Sequence, residues 1–182
     1  EYVETNECDV YYGDTDSIYL SIPRKYFATL DIKYYTEQIT KLEYWTELVT
    51  ITFKQIKQIN ADVNNMLEKD NKTKFLTMAY EEVLYPVLFA AKKKYYGIPH
   101  ENIANFKPKD LFIRGLEVRK RGVSNLLRKI FTELMWKSVD PDNIYDVMEL
   151  VYGKIGEIYS KKWNTNDFLQ SAVYRPKKKN IS

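Results

Sequence analysis

The sequence predicts an α+β fold in which a β-hairpin, a long helix and antiparallel strands precede a helical region, with the boundary near residue 118. Three observations carry that expectation. Apolar residues alternate after a Gly/Asp turn near the start of the chain, and apolar residues recur every three to four positions over about residues 25–68. The helical spacing then returns after residue 122. At 182 residues and 45% hydrophobic, the chain can form one sizeable or two small domains with real cores.

The elements follow in order. Cys8-Asp9-Val10-Tyr11 and Ile18-Tyr19-Leu20-Ser21-Ile22 flank Tyr12-Gly13-Asp14-Thr15-Asp16-Ser17, which reads as a hairpin. Leu30, Tyr34, Leu42, Trp45, Val49, Phe53, Ile56, Val63 and Leu67 predict one long helix or two end-to-end helices. The β-branched run Val49-Thr50-Ile51-Thr52 weakens that helix locally, and Asp70-Asn71-Lys72-Thr73 closes it as a polar turn. Strand-like runs follow at Phe75–Glu82, Val83–Tyr96 and Leu111–Glu117. The run from Val83 to Ala91 is too short, and too interrupted by Pro86, to cross a membrane, and it reads as a buried strand pair or sheet edge. Val123, Leu126, Leu127, Ile130, Phe131, Leu134 and Met135 form a helical stripe. Asp140-Pro141 reads as an N-cap with Pro at the first position of a second helix bearing Ile144, Val147, Val151, Ile155 and Ile158. Both stripes read as core.

The chemistry-bearing residues lie in three segments. Asp14 and Asp16, one residue apart at a hairpin tip, crowd two negative charges that a divalent cation neutralises well. Turn chemistry alone also explains an Asp-rich turn. Lys92-Lys93-Lys94-Tyr95-Tyr96-Gly97 joins a basic triplet to two tyrosines, supplying charge for phosphates and rings or hydroxyls for sugars and bases. The bland alternative is a solvated Lys cluster closing a strand. The third segment is Phe112-Ile113-Arg114-Gly115-Leu116-Glu117-Val118-Arg119-Lys120-Arg121.

Taken in order, these segments resemble family B DNA polymerases. Tyr12 to Ser17 resembles the Tyr-Gly-Asp-Thr-Asp-Ser signature of that family's palm hairpin, and Lys92 to Gly97 its Lys-Lys-(Arg/Lys)-Tyr-x-Gly segment. Residues 112–121 resemble the Lys-Gly-(apolar)-Glu/Asp-x-x-Arg stretch where palm hands over to thumb, with Arg114 where Lys is usual and the spacing shifted before Arg119. The resemblance implies the C-terminal part of a palm over residues 1–118 and a partial helical thumb over 119–182. It implies template-directed transfer of deoxynucleotides to a primer 3′ end in DNA replication. Asp16 and Asp14 are then the catalytic carboxylates and metal ligands, Asp16 for direct coordination. Two Mg²⁺ ions are the cofactor, with one carboxylate ligand missing from this chain. Tyr12, Gly13, Thr15, Lys93, Lys94, Tyr95, Gly97 and Arg114 are implied to contact primer-template. The implied partners are primer-template DNA, deoxynucleoside triphosphates, the remainder of the polymerase chain and a processivity factor, with no membrane. RNA-directed polymerases fit less well, because their palm hairpins carry adjacent aspartates and Thr15 separates these.

Charge supports a nucleic-acid partner without the resemblance. Residues 88–129 hold eleven Lys or Arg against three Asp or Glu, while the rest of the chain holds 17 against 22. A net charge of +3 thus conceals a basic segment on a mildly acidic body. The single cysteine, Cys8, forms no internal disulfide, so a reducing, intracellular compartment is the default. His100, the one histidine, follows Pro99 in an apparent loop and reads as a surface residue rather than a metal ligand. Arg175-Pro176-Lys177-Lys178-Lys179 reads as a DNA contact, a localisation signal or a frayed end.

The chain opens at Glu1 and is expected to be part of a larger protein. The family's other metal-binding Asp, its fingers helix and its exonuclease carboxylates have no counterpart here, so the chain alone is expected to be inactive. A residue usage rich in Tyr, Lys, Asn and Ile, together with the divergence near Arg119, points to a viral or mobile-element replicase. The alternative from another class is a non-enzymatic DNA-binding module derived from a polymerase.

Overall fold

A computed structural model describes residues 7–14, 16–160 and 163–172, and gives the backbone alone at Asp14 and Val147. Thr15 and the basic stretch 175–179 lie outside the described residues. The fold is α+β, with four α-helices and two small antiparallel sheets among the described residues. Two compact units form: residues 1–85 with 99–108, and residues 86–98 with 109–182.

In the first unit, β1 (Asp9–Asp14) and β2 (Ser17–Ser21) make the expected hairpin. Helix α1 (Ala28–Tyr35) and helix α2 (Lys41–Asn71) are the two-helix alternative rather than one continuous helix. The break has a local cause. Thr40 caps α2 by accepting from the Glu43 amide, while the Glu43 carboxylate accepts from the Thr40 amide at 2.8 Å. The β-branched run stays fully helical, because Val49 and Phe53 are buried. Thr46, Thr50 and Thr52 each donate to the carbonyl four residues back at 2.8 Å.

The expected strand at Phe75–Glu82 does not form. Met78 takes its hydrogen bonds from side chains of α2 instead. Asn60 and Asn64 donate to its carbonyl at 3.1 and 3.0 Å, and its amide donates to Asn64 Oδ1 at 2.7 Å. Phe75, 96% exposed, lies outside any core.

His100 is a second correction. It is 1% exposed, not a surface residue. Nε2 donates to the Tyr85 carbonyl at 2.7 Å and Nδ1 accepts from the Asn105 amide at 2.9 Å. A carbonyl can only accept and an amide can only donate, so the pair fixes the neutral Nε2–H tautomer. The Phe106 ring stands edge-on at 4.8 Å, and Trp45 packs between Tyr85 and Phe106.

In the second unit a three-stranded sheet runs β3 (Val83–Ala91), β4 (Lys94–His100), β5 (Phe112–Arg114), the outer ends of β3 and β4 belonging to the first unit. The expected single run Val83–Tyr96 is thus a hairpin turning at Lys92-Lys93. Pro86 is tolerated because β3 is an edge strand. Helix α3 (Asn125–Val139), capped by the Ser124 hydroxyl, buries Leu126, Ile130, Met135 and Val139. Tyr96 and Ser138 share a 2.8 Å hydroxyl hydrogen bond that ties β4 to α3.

Asp140-Pro141 starts no helix; Asp140 instead ends α3 and accepts from the Asp142 amide. Helix α4 (Val147–Tyr159) begins at Asp146, whose amide donates to Glu149. Lys154 of α4 reaches Glu133 of α3 at 2.7 Å and Glu157 at 2.9 Å. The expected stripe is core only in part: Val151 and Ile158 are half-buried, whereas Ile155 faces solvent and Ile144, which lies before α4, is 87% exposed.

Burial holds the His100 imidazole below its ordinary pKa, only partly opposed by the hydrogen bond to Tyr85. The unfolded chain therefore binds this proton more readily than the folded one once pH falls below about 6.5, and stability drops with pH from there down. Urea midpoints of the 182-residue chain should fall between pH 7.5 and 5.5, above the range where carboxylates titrate. In His100→Gln that slope should vanish, whatever the variant's absolute stability.

Candidate active site and nucleic-acid surface

The first candidate site is the β1–β2 tip. Asp14 pairs with Ser17, Gly13 with Ile18 and Tyr12 with Tyr19, so Asp16 lies at the closed end of the ribbon. Asp16 is exposed there. Side chains alternate across a ribbon, so register positions 12, 17 and 19 share one face and 13 and 18 the other. The Tyr12 and Tyr19 rings meet on the first face at 6.1 Å, which steadies the tip. Tyr11 is the extra residue of a bulge between Val10 and Tyr12, which sharpens the ribbon's twist. A Cβ at Gly13 would find ordinary contacts of 3.7 and 3.8 Å, so nothing within the ribbon demands glycine there. Among the described residues no group of three or more His, Cys, Asp or Glu stands ready for a metal ion.

The second candidate site is the β3–β4 tip, in the other unit. Lys92, Lys93 and Lys94 are all exposed there. Lys93 has φ of 61°, a left-handed conformation costing an L-residue about 1–2 kcal/mol. Tyr95 is different: it is 7% exposed, its ring between Phe89 at 5.3 Å and Phe112 at 6.1 Å. Its main structural contribution is to anchor the strand that carries the lysines. Gly97 answers a local need, since a Cβ there would come within 2.6 Å of the Pro86 carbonyl oxygen. Arg114 pairs with Tyr95 across β4 and β5, and its guanidinium lies 5.0 Å from the Phe112 ring centroid.

The residues after β5 divide by role. Arg119 donates to the Leu111 carbonyl, and Arg128 to those of Val118 and Lys120, so these two cations brace the connection into α3. Lys120 pairs with Glu117 at the surface. Gly115 is the residue that sequence reasoning passed over. Its φ is +65°, and a Cβ there would overlap the Lys93 carbonyl oxygen. Its signal in the sequence was a glycine inside the strand-like run Leu111–Glu117, which the structure ends at Arg114.

No protein-family model matches the chain. The chain is 39% identical over 178 residues to the DNA polymerase beta of African swine fever virus isolate Pig/Portugal/Lis 60/1960, a match covering 93% of this chain and 14% of that protein. The DNA polymerase beta of isolate Warthog/Namibia/Wart80/1980 matches at the same identity, over 93% of this chain and 15% of that protein. The DNA polymerase of Pyramimonas orientalis virus is 21% identical over 178 residues, covering 96% of this chain and 13% of that protein. The chain is thus similar to one segment of viral proteins named DNA polymerases, and it spans about one seventh of the length of the curated relatives it matches. Among the described residues no helix is long and apolar enough to cross a membrane.

Two substitutions at the second tip separate the residue that holds the strand from one that does not. Tyr95→Ala should cost about 3–5 kcal/mol by emptying the space between two rings. Lys94→Ala, exposed, should change stability by no more than about 0.5 kcal/mol. Urea unfolding of the 182-residue chain measures both.

Proposed function

We propose that this chain is a segment of a viral family B DNA-directed DNA polymerase, a nucleotidyltransferase of DNA replication. The observation that carries the reading is the hairpin tip, which leaves Asp16 exposed at the closed end of the ribbon within the Tyr12–Ser17 signature. Identity of 39% to the African swine fever virus polymerase supports it. The Asp-Thr-Asp spacing supports the family B assignment, since Thr15 separates the carboxylates.

Carboxylate oxygens on an exposed loop are the hard donors that Mg²⁺ prefers. Asp16 would hold such a metal directly, and Asp14 would assist it. Two such ions, when bound, supply charge neutralisation for the attacking 3′ oxygen and the leaving pyrophosphate. The chain's own residues do the positioning. Tyr12, Gly13 and Thr15 shape the ribbon against the primer end, and the missing side chain at Gly13 leaves room for close approach. Lys93, Lys94 and Arg114 hold the phosphate backbone, while Tyr95 and Gly97 fix the strand between them. Residues 1–118 serve as palm and 119–182 as part of the thumb, a functional division distinct from the compact units. The substrates are primer-template DNA and deoxynucleoside triphosphates, and the remaining polymerase chain, with a processivity factor, completes the machine. The 182 residues carry only part of the catalytic site and do not extend a primer alone; metal-dependent extension by the isolated chain would refute that.

The decisive experiment is primer extension by the full-length parent on a DNA template with Mg²⁺, wild type beside Asp16→Ala. Extension should fall by at least about a thousandfold in the variant, comparable to losing a major electrostatic stabiliser, while duplex affinity changes less than about threefold. A folded wild type that binds duplex but extends nothing would instead indicate a non-enzymatic DNA-binding module.

A further inference from the structure

Lys93 and Gly115 occupy each other's expected conformational roles. The second residue of a two-residue hairpin loop with positive φ is ordinarily Gly or Asn, yet Lys93 stands there at φ 61°. The glycine stands opposite, at position 115, with φ +65°. Its missing Cβ admits the Lys93 carbonyl oxygen directly, and the Lys94 Cγ lies 3.4 Å from the same point. The contact is backbone against backbone. It is anchored on the β5 side, because Gly115 follows Arg114, which pairs with the buried Tyr95.

We infer that Gly115 is a positioning residue for primer-template binding, holding the Lys92–Lys94 tip in one conformation so that its ammonium groups meet the duplex phosphates in a fixed register. The inference rests on the polymerase reading above and adds a residue that touches no DNA itself. A lysine is a flexible point charge whose ordering on binding carries an entropic cost. Fixing the tip backbone beforehand removes part of that cost for three cations at once. A glycine at position 93 would relieve the turn but forfeit a charge. The chain keeps the charge and accommodates the left-handed turn through Gly115.

The test uses the full-length parent and measures primer-template affinity against salt, with the KM for deoxynucleotide as a control. Gly115→Ala should bind duplex about tenfold more weakly, and its log K against log salt slope should be shallower by about two, at about 0.9 per phosphate contact. The deoxynucleotide KM at saturating duplex should stay within about twofold, since the nucleotide is not held by this tip. A second pair of variants holds if Gly115→Ala fails to fold. Lys93→Gly and Lys93→Val remove the same charge, but only the β-branched residue resists positive φ. The valine variant should bind about fivefold more weakly than the glycine variant, beyond the single contact both lose. Equal affinity and slope for those two, or wild-type duplex binding by Gly115→Ala, would overturn the inference. A wild type that neither binds nor extends primer-template would overturn the polymerase reading itself.

Discussion

Burial of strand β4 is the constraint on which most of the structure depends. Four of its seven residues, Tyr95, Gly97, Ile98 and His100, are withdrawn from solvent. Within the second unit, Tyr95 needs Phe89 and Phe112 on either side, and Gly97 needs to be glycine because the β3 backbone passes close by. Within the first unit, the last residue of the same strand, His100, uses both ring nitrogens to bind the Tyr85 carbonyl and the Asn105 amide. A buried strand satisfied at this many points leaves its exposed end, Lys94, little freedom, which is what a charge-presenting tip requires.

Both candidate sites use the same device with opposite charge. Each is the closed end of an antiparallel ribbon, one carrying Asp16 and the other Lys92 and Lys93. A tight loop on a paired ribbon limits where a charged side chain can go, and so lowers the entropy lost on binding. The two ribbons differ in support. The acidic one carries the Tyr12–Tyr19 ring pair and leaves Val10, Tyr11 and Ile18 exposed; the basic one is backed by a third strand and a helix.

The β1–β2 hairpin was legible because alternation and turn residues are local signals, whereas the β3–β4 hairpin reads in the sequence as one run, Val83–Tyr96, because Lys92-Lys93 carries none of the usual turn residues. The break before α2 was also present, in Thr40 and Glu43 at capping-box spacing, but helical periodicity across residues 30–67 left open whether and where one helix became two. Phe75–Glu82 could not be read locally, since the groups that satisfy Met78 lie 14 and 18 residues earlier. The same holds for His100, whose partners at Tyr85 and Asn105 only the fold brings together. Asp140-Pro141 suits a turn as well as a cap, and the true start lay at Asp146 with Glu149 three residues on. The stripe expected over residues 144–158 shows the limit of periodicity: spacing identifies a face but not what covers it, and Ile144 and Ile155 are exposed while Val151 and Ile158 are half-buried.

Tyr95 shows how a family resemblance and a physical reading divide one residue between them. The resemblance makes it a primer-template contact, while the structure buries its ring and so makes it a structural anchor first. The two are compatible only if its part in binding is largely indirect, through the strand it fixes. Under the proposed function, the direct contacts fall to groups held in unlike ways. Lys93 is set by a left-handed backbone against Gly115, and Arg114 by its guanidinium over the Phe112 ring. A lysine at 114 would keep the charge but lose much of the planar stacking, and an arginine at 93 would keep the turn but change the donor geometry. The departure at Arg114 from the family's usual Lys therefore has a local physical reason, an aromatic face two residues earlier on the same side of β5.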